Sequence, residues 1–414
     1  MNGARGAVRM ARGLGAAAAV AALALAPAAR AGPGAGIRFG GGVLHPYVEV
    51  EPRWDSNVTL EADQEVGDVL VSVRPGARFE AEGGRVLVHF DGRVSVVRYL
   101  GLEGDTTDLS RLDATAELGL EVNRDGALGL ELEDRFTRGT ETLSFSLPNA
   151  VISNANVLRL RIPYRPGGGA LELSAGGEWI RESFEPWLEG IVCDPAQAGC
   201  DSDTLAGLGY DEVRGTGEVR WRFLPRTAAS LRGSWVQRMP DDPALSNDGS
   251  AVKVMGGVSG LVTSRFAATL EAGYGDTLES AGEPYSTWLA NVQLEWIAGE
   301  ARRARLGYAH GFEFDLGDAT SLYGSDRVFL DARAAFGRFS LVLAASWDWL
   351  DYVLTDATSQ IVRVEPRVET AVARWFWLGL GYRYTSRSST GSLASLPSWE
   401  YTKNEAWLTA RLEY

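Results

Sequence analysis

The chain has 414 residues, with 40 Lys and Arg against 54 Asp and Glu and a formal net charge of −14. That acid excess excludes nucleic acid and anionic lipid surfaces as partners of the bulk surface. Two Cys and three His are too few for a dedicated metal centre, and nothing in the composition implies a cofactor.

The N-terminus sets the compartment. Arg5, Arg9 and Arg12 precede an apolar stretch from Leu14 to Ala26, and Ala29-Arg30-Ala31 has the small-x-small form of a cleavage site. The stretch holds 13 residues, short of the ~20 that a spanning helix needs. Residues 1–31 are therefore expected to be a secretory signal peptide. Its removal takes away four Arg and no acid, leaving 36 basic against 54 acidic residues and a net charge of −18. Residues 32–43 read as a short periplasmic segment, and 44–414 as one continuous domain.

That domain alternates with a period of two. Leu112, Ala114, Ala116, Leu118, Leu120 and Val122 interleave with Arg111, Asp113, Glu117 and Glu121, and Arg124-Asp125-Gly126 turns the chain. Leu128, Leu130 and Leu132 return, interleaved with Glu131, Glu133 and, further on, Arg135. Two apolar-alternating runs around a tight turn are a β-hairpin. The unit recurs with Arg159 and Arg161, with Glu172 and Glu178, and with Arg363, Glu365, Arg367 and Glu369. Pro366 inside the last run removes one ladder donor.

Short turns (Glu82-Gly83-Gly84, Pro166 to Gly169, Gly337-Arg338) alternate with longer polar stretches at 55–67, 100–108, 138–153, 185–208, 240–250, 276–286, 315–325, 353–360 and 386–400. Short periplasmic turns opposite long external loops are the pattern of bacterial outer-membrane barrels, and the tally is about eighteen strands. Aromatic residues close the apolar band: Trp288 and Trp296 lie eight apart on one strand. Trp179, Trp235, Trp347, Trp349 and Tyr384 fall toward loops, and Trp221, Phe376 and Trp377 toward turns, as two membrane interfaces select. The expected fold is an all-β, antiparallel transmembrane barrel in the outer membrane of a Gram-negative cell, in contact with outer-membrane lipid.

A Lys or Arg on the lipid face near the midplane costs ~2–4 kcal/mol. Arg111, Asp113, Glu117, Glu121, Glu131, Glu133, Arg135, Arg159, Arg161, Glu172, Glu178, Arg363, Glu365, Arg367 and Glu369 are therefore expected to line the lumen. Cys193 and Cys200 lie seven apart in an external loop, where an exported chain favours one local disulfide.

Catalytic and metal-binding signals are weak. His89 falls on the lumen side, while His310 follows the outward Leu306 and Tyr308 without visible partners. Asp241-Asp242 reads as turn chemistry. Asp194, Asp201 and Asp203 lack the spacing of a calcium loop. No nucleophile motif is present, so no catalytic residues, metal or cofactor are assigned and enzyme activity is not expected.

The run Trp54-Asp55-Ser56-Asn57-Val58, followed by Gly67-Asp68-Val69 and a Val-rich strand ending in Pro75-Gly76, resembles the putative β-barrel porin 2 group, and the expected strand number is similar to that of the eighteen-stranded barrels of myxobacterial polysaccharide-export systems. Leu408, Ala410, Leu412 and Tyr414 resemble the C-terminal signal read by the barrel assembly machinery. The resemblance implies a conduit that exports a polysaccharide with a periplasmic export protein as partner. General diffusion of small solutes, or a structural barrel with a blocked lumen, are the alternatives.

Overall fold

A strand in hydrocarbon must find a partner for every N–H and C=O, so a spanning sheet is stable only when closed. A computed structural model describes residues 34–414, apart from 61, 63–64, 103–105, 107–108, 141–150, 187–201, 247, 281–283, 300, 317–321 and 392–398. The signal segment, Cys193, Cys200, Asp194 and Asp201 lie outside the described residues. A three-residue strand, β1 (Ile37–Phe39), forms a hairpin with β2 (Gly42–Asp55). The wall continues as β3 (Asp68–Glu82), β4 (Val86–Tyr99), β5 (Arg111–Val122), β6 (Leu130–Gly139), β7 (Val151–Tyr164), β8 (Leu171–Pro186) and β9 (Tyr210–Leu224). Then come β10 (Thr227–Pro240), β11 (Gly249–Leu261), β12 (Phe266–Ser280), β13 (Ser286–Ile297) and β14 (Arg302–Phe314). The last five are β15 (Leu322–Phe336), β16 (Phe339–Tyr352), β17 (Thr358–Ala373), β18 (Phe376–Thr390) and β19 (Tyr401–Glu413).

From β2 to β19 each strand pairs antiparallel with its chain neighbours, and β19 returns to β2 through Trp407↔Arg53 and Arg411↔Glu49. Eighteen strands thus close one barrel, as the alternation predicts. The wall starts at Gly42, so the end of the segment expected to precede the barrel already belongs to it.

Register sorts the side chains. Val50, Val73 and Val96 sit opposite one another on the outer face, while Glu49 faces Arg74 on the inner face. Leu112, Leu118, Leu294, Leu306 and Leu408 are exposed on the outside, as a lipid-facing band requires. The outer face of β6–β9 departs from this pattern toward the loop ends. There Asn156 donates to Asp134 at 2.9 Å, Arg138 pairs with Glu185 at 2.9 Å, and Arg181 with Asp241 at 2.6 Å. Lateral pairing supplies these polar groups with partners on the wall itself.

Several strands outrun the expected polar boundaries: β12 continues to Ser280, β15 begins at Leu322 and β18 reaches Thr390. The ladders extend past the point where apolar alternation stops, because polar residues cost nothing on either face once water replaces lipid.

Closure is reinforced at its loop end by the residues after β2. Asp55 Oδ1 accepts from the Asn57 N–H at 3.0 Å, and its Oδ2 holds Lys403 Nζ at 2.8 Å. Asn57 Nδ2 reaches the Thr402 carbonyl at 3.1 Å, and the Asn404 N–H donates to Ser56 Oγ at 2.9 Å. The Asp-Ser-Asn run is therefore a clasp between the first and last long strands. Asp68 organises the following loop in a similar way, accepting from the N–H groups of Val69, Gly101 and Leu102 at 2.7, 3.0 and 3.0 Å. Asp55→Ala removes the partner of a mostly buried Lys403, and should lower stability by about 3 kcal/mol in urea unfolding from lipid vesicles. Asp125→Ala, in an exposed turn, should change it by less than about 0.5 kcal/mol.

Candidate functional site: the lumen wall

Six of the residues expected inside (Arg111, Asp113, Arg363, Glu365, Arg367 and Glu369) line one large cavity of about 1420 Å³. The cavity lies against β15–β19 and β2–β6. It extends from Trp377, Arg411 and Glu413 beside the turns to Asp55, Val58 and Tyr401 beside the loops. Arg111 pairs with Asp113 at 2.9 Å, and Glu365 is held by Arg383 at 2.6 Å and Arg367 at 3.3 Å.

Six others form a zigzag on the adjoining wall. Glu131 meets Arg161 at 3.1 Å, Arg161 meets Glu172 at 2.7 Å, Glu133 meets Arg159 at 3.3 Å, and Arg159 also binds Glu178. The last three sit between these groups: Glu117 is 3.5 Å from His89 and opposite Arg135, and Glu121 is opposite Glu131.

The densest network was not singled out from sequence. Glu51, almost fully buried, bridges Arg53 at 2.7 Å and Arg74 at 2.8 Å, while Arg74 also binds Glu49 at 2.8 Å. Glu405 ties Arg53 at 2.9 Å to Arg383 at 3.6 Å, and both guanidinium groups lie over the Trp407 ring. Trp407 fits because Gly381 lies opposite: a Cβ there would come within 2.3 Å of the indole. Tyr47 uses Gly76 in the same way, and its hydroxyl donates to Asp91 at 3.1 Å. The signal was visible as Glu49-x-Glu51-x-Arg53-x-Asp55, a strand with every second residue charged.

Other assignments change. Trp377 lines the cavity and does not belong to the outer aromatic row: Phe376 takes the outward position, and alternation turns its neighbour inward. His310 does have partners. Its Nδ1 lies 2.9 Å from Asp326 and its Nε2 3.2 Å from Thr287 Oγ1, with Trp288 stacked on the ring at 3.9 Å and Tyr308 donating to the same Asp326 at 2.5 Å. Both nitrogens are engaged and one ring face is covered, which makes the cluster a fastening between β13, β14 and β15. Asp242 makes the expected turn, accepting from the Ala244 N–H at 2.9 Å, whereas Asp241 pairs with Arg181. Leu408, Ala410 and Leu412 lie on the outer side of β19, and the Tyr414 N–H donates to the Pro46 carbonyl at 3.0 Å.

The loop side of the lumen is narrowed unequally. Leu316, from the loop after β14, packs with Val151, Ile180, Phe184, Tyr210 and Leu205 of the short helix Ser202–Gly207. Glu313 reaches Lys253 at 2.8 Å and Arg214 at 3.7 Å, and the Phe314 ring covers Gly249. The outer end of β14 thus leans inward onto β9–β11. The cavity remains against the opposite wall, although Val58 and Leu109 pack there on Leu70, Val97 and Tyr99.

A closed barrel with a charged cavity along its inner wall is the architecture of a porin, and the family model for "Putative beta-barrel porin 2" matches residues 30–414. The chain belongs to that family. Several solved outer-membrane proteins are similar at low identity. The ferric enterobactin receptor PfeA of Pseudomonas aeruginosa matches at TM-score 0.46 and 9% identity, covering 90% of this chain and 80% of that one. OccAB3 of Acinetobacter baumannii matches at 0.45 and 10%, covering 91% and 100%, and OccK2 (OpdF) of Pseudomonas aeruginosa at 0.45 and 12%, covering 89% and 98%. No curated protein matches the sequence.

In this porin-family barrel, Glu51 holds two arginines that would otherwise repel. Glu51→Gln should lower stability by about 2 kcal/mol in vesicle unfolding monitored by Trp fluorescence. Combined with Arg74→Gln, the loss should be smaller than the sum of the two single losses, because each single change strands the other charge.

Proposed function

We propose that the barrel is the outer-membrane passage of a polysaccharide export system, taking polymer from a periplasmic export protein at its turn-side mouth. The observation that carries this reading is the cavity lining: ion-paired side chains run from Glu413 and Arg411 at the turn end to Asp55 and Lys403 at the loop end. A hydrated chain cannot cross ~30 Å of hydrocarbon unaided, and a wall of fixed charges and hydroxyls replaces its water contacts along the way. The likeness of the Asp55-Ser56-Asn57 and Asp68 region to barrels that accompany polysaccharide-export genes supports the same reading.

Energy coupling is absent from this scheme: the barrel offers a path, and synthesis or the periplasmic partner drives movement. A deletion strain is therefore expected to lose surface display of one polysaccharide while taking up small nutrients at the normal rate. Slowed uptake of small solutes with normal polymer display would instead identify a diffusion porin.

A further inference from the structure

The molecule is acidic, yet its cavity is not. Of the residues lining the cavity from the inner face, leaving out Arg138, whose guanidinium pairs with Glu185 on the outer face, thirteen are Arg or Lys and nine are Asp or Glu. The chain as a whole has 40 basic and 54 acidic residues. The sign of the wall is therefore opposite to that of the protein. The adjoining wall, with Glu131, Glu133, Glu172 and Glu178 matched against Arg159 and Arg161, carries no such excess.

Pairing within the cavity sharpens the contrast. Eight of the nine acids have a cation within 4 Å, Glu369 being the exception among the described residues. Among those residues, Arg93, Arg333 and Arg363 have no carboxylate at that distance; Arg93 instead donates to Thr115 Oγ1 at 3.0 Å. The acids are neutralised locally while these three guanidinium groups keep their field. They sit on β4, β15 and β17, on the side of the lumen that the inward lean of β14 leaves as the path. Low-dielectric walls focus the field of unpaired charges into a cleft, and guanidinium forks bind carboxylate and phosphate bidentately.

We propose that the barrel selects anions and that its cargo is an acidic polysaccharide, bearing carboxylate or phosphate groups that pass Arg93, Arg333 and Arg363. This rests on the export reading above for the polymer, and on the cavity alone for the charge.

Purified full-length barrel in planar bilayers, under a KCl gradient, tests it. The expected result is a reversal potential of anion-selective sign. The triple variant Arg93→Gln, Arg333→Gln, Arg363→Gln should lose most of that preference, and Glu369→Gln should raise it. The Glu369 variant guards against a triple variant that fails to fold. Polygalacturonate added on the turn side should block the current at lower concentration than dextran of equal length, and the triple variant should reduce that difference. Cation selectivity, or unchanged selectivity in a folded triple variant, would overturn the charge assignment and leave the conduit standing. Anion selectivity without any preference for polygalacturonate over dextran would overturn the acidic polymer as cargo. No conductance at all would overturn both this inference and the conduit.

Discussion

Everything in this structure depends on backbone satisfaction in a medium without water. A strand that leaves one edge unpaired in hydrocarbon forfeits several kcal/mol for each orphaned group, so β2 and β19 must meet although more than three hundred residues separate them. The seam is where closure is hardest to hold, since no tight turn connects its two strands. The clasp of Asp55, Ser56 and Asn57 on Thr402, Lys403 and Asn404 fastens it at the loop end, and the Tyr414–Pro46 hydrogen bond at the turn end. The Asp-Ser-Asn run that carries the resemblance to this family is accordingly also a closure device.

Closure forces the alternation, and the alternation concentrates charge. With lipid outside, the ionisable residues at lipid depth mostly turn inward, where ladder neighbours at ~4.5–5.5 Å pair them. Inward packing then divides the enclosed space. The end of β14, through Glu313, Phe314 and Leu316, covers β9–β11 and leaves the β15–β19 and β2–β6 wall as the route. The aromatic rings of Trp407 and Tyr47 lie flat because glycines face them, so that bulky side chains form wall instead of obstruction.

Barrel class, strand number and hairpin turns were legible in the sequence, since a period of two records which face of a strand is apolar. Three things were not. The Glu51–Arg74–Arg53–Glu405 network joins residues from both ends of the chain, and spacing carries no record of that meeting. Trp377 was misplaced because two adjacent aromatics at a turn leave the facing ambiguous by one residue, which is enough to swap lipid for lumen. His310 looked isolated because Thr287 and Asp326 lie on the two flanking strands. Net charge averages over the chain in the same way: acids outnumber bases overall, while bases outnumber acids along the cavity.

The barrel requires its side chains to be sorted between lipid and a water-filled lumen, and single cysteines test that sorting directly. In a Cys193→Ser, Cys200→Ser background reconstituted in vesicles, cysteines at 93, 115 and 363 should react with a membrane-impermeant thiol reagent. Cysteines at the outward positions 94, 112 and 364 should remain unlabelled. Equal labelling of the two sets, or labelling of the outward set alone, would contradict it.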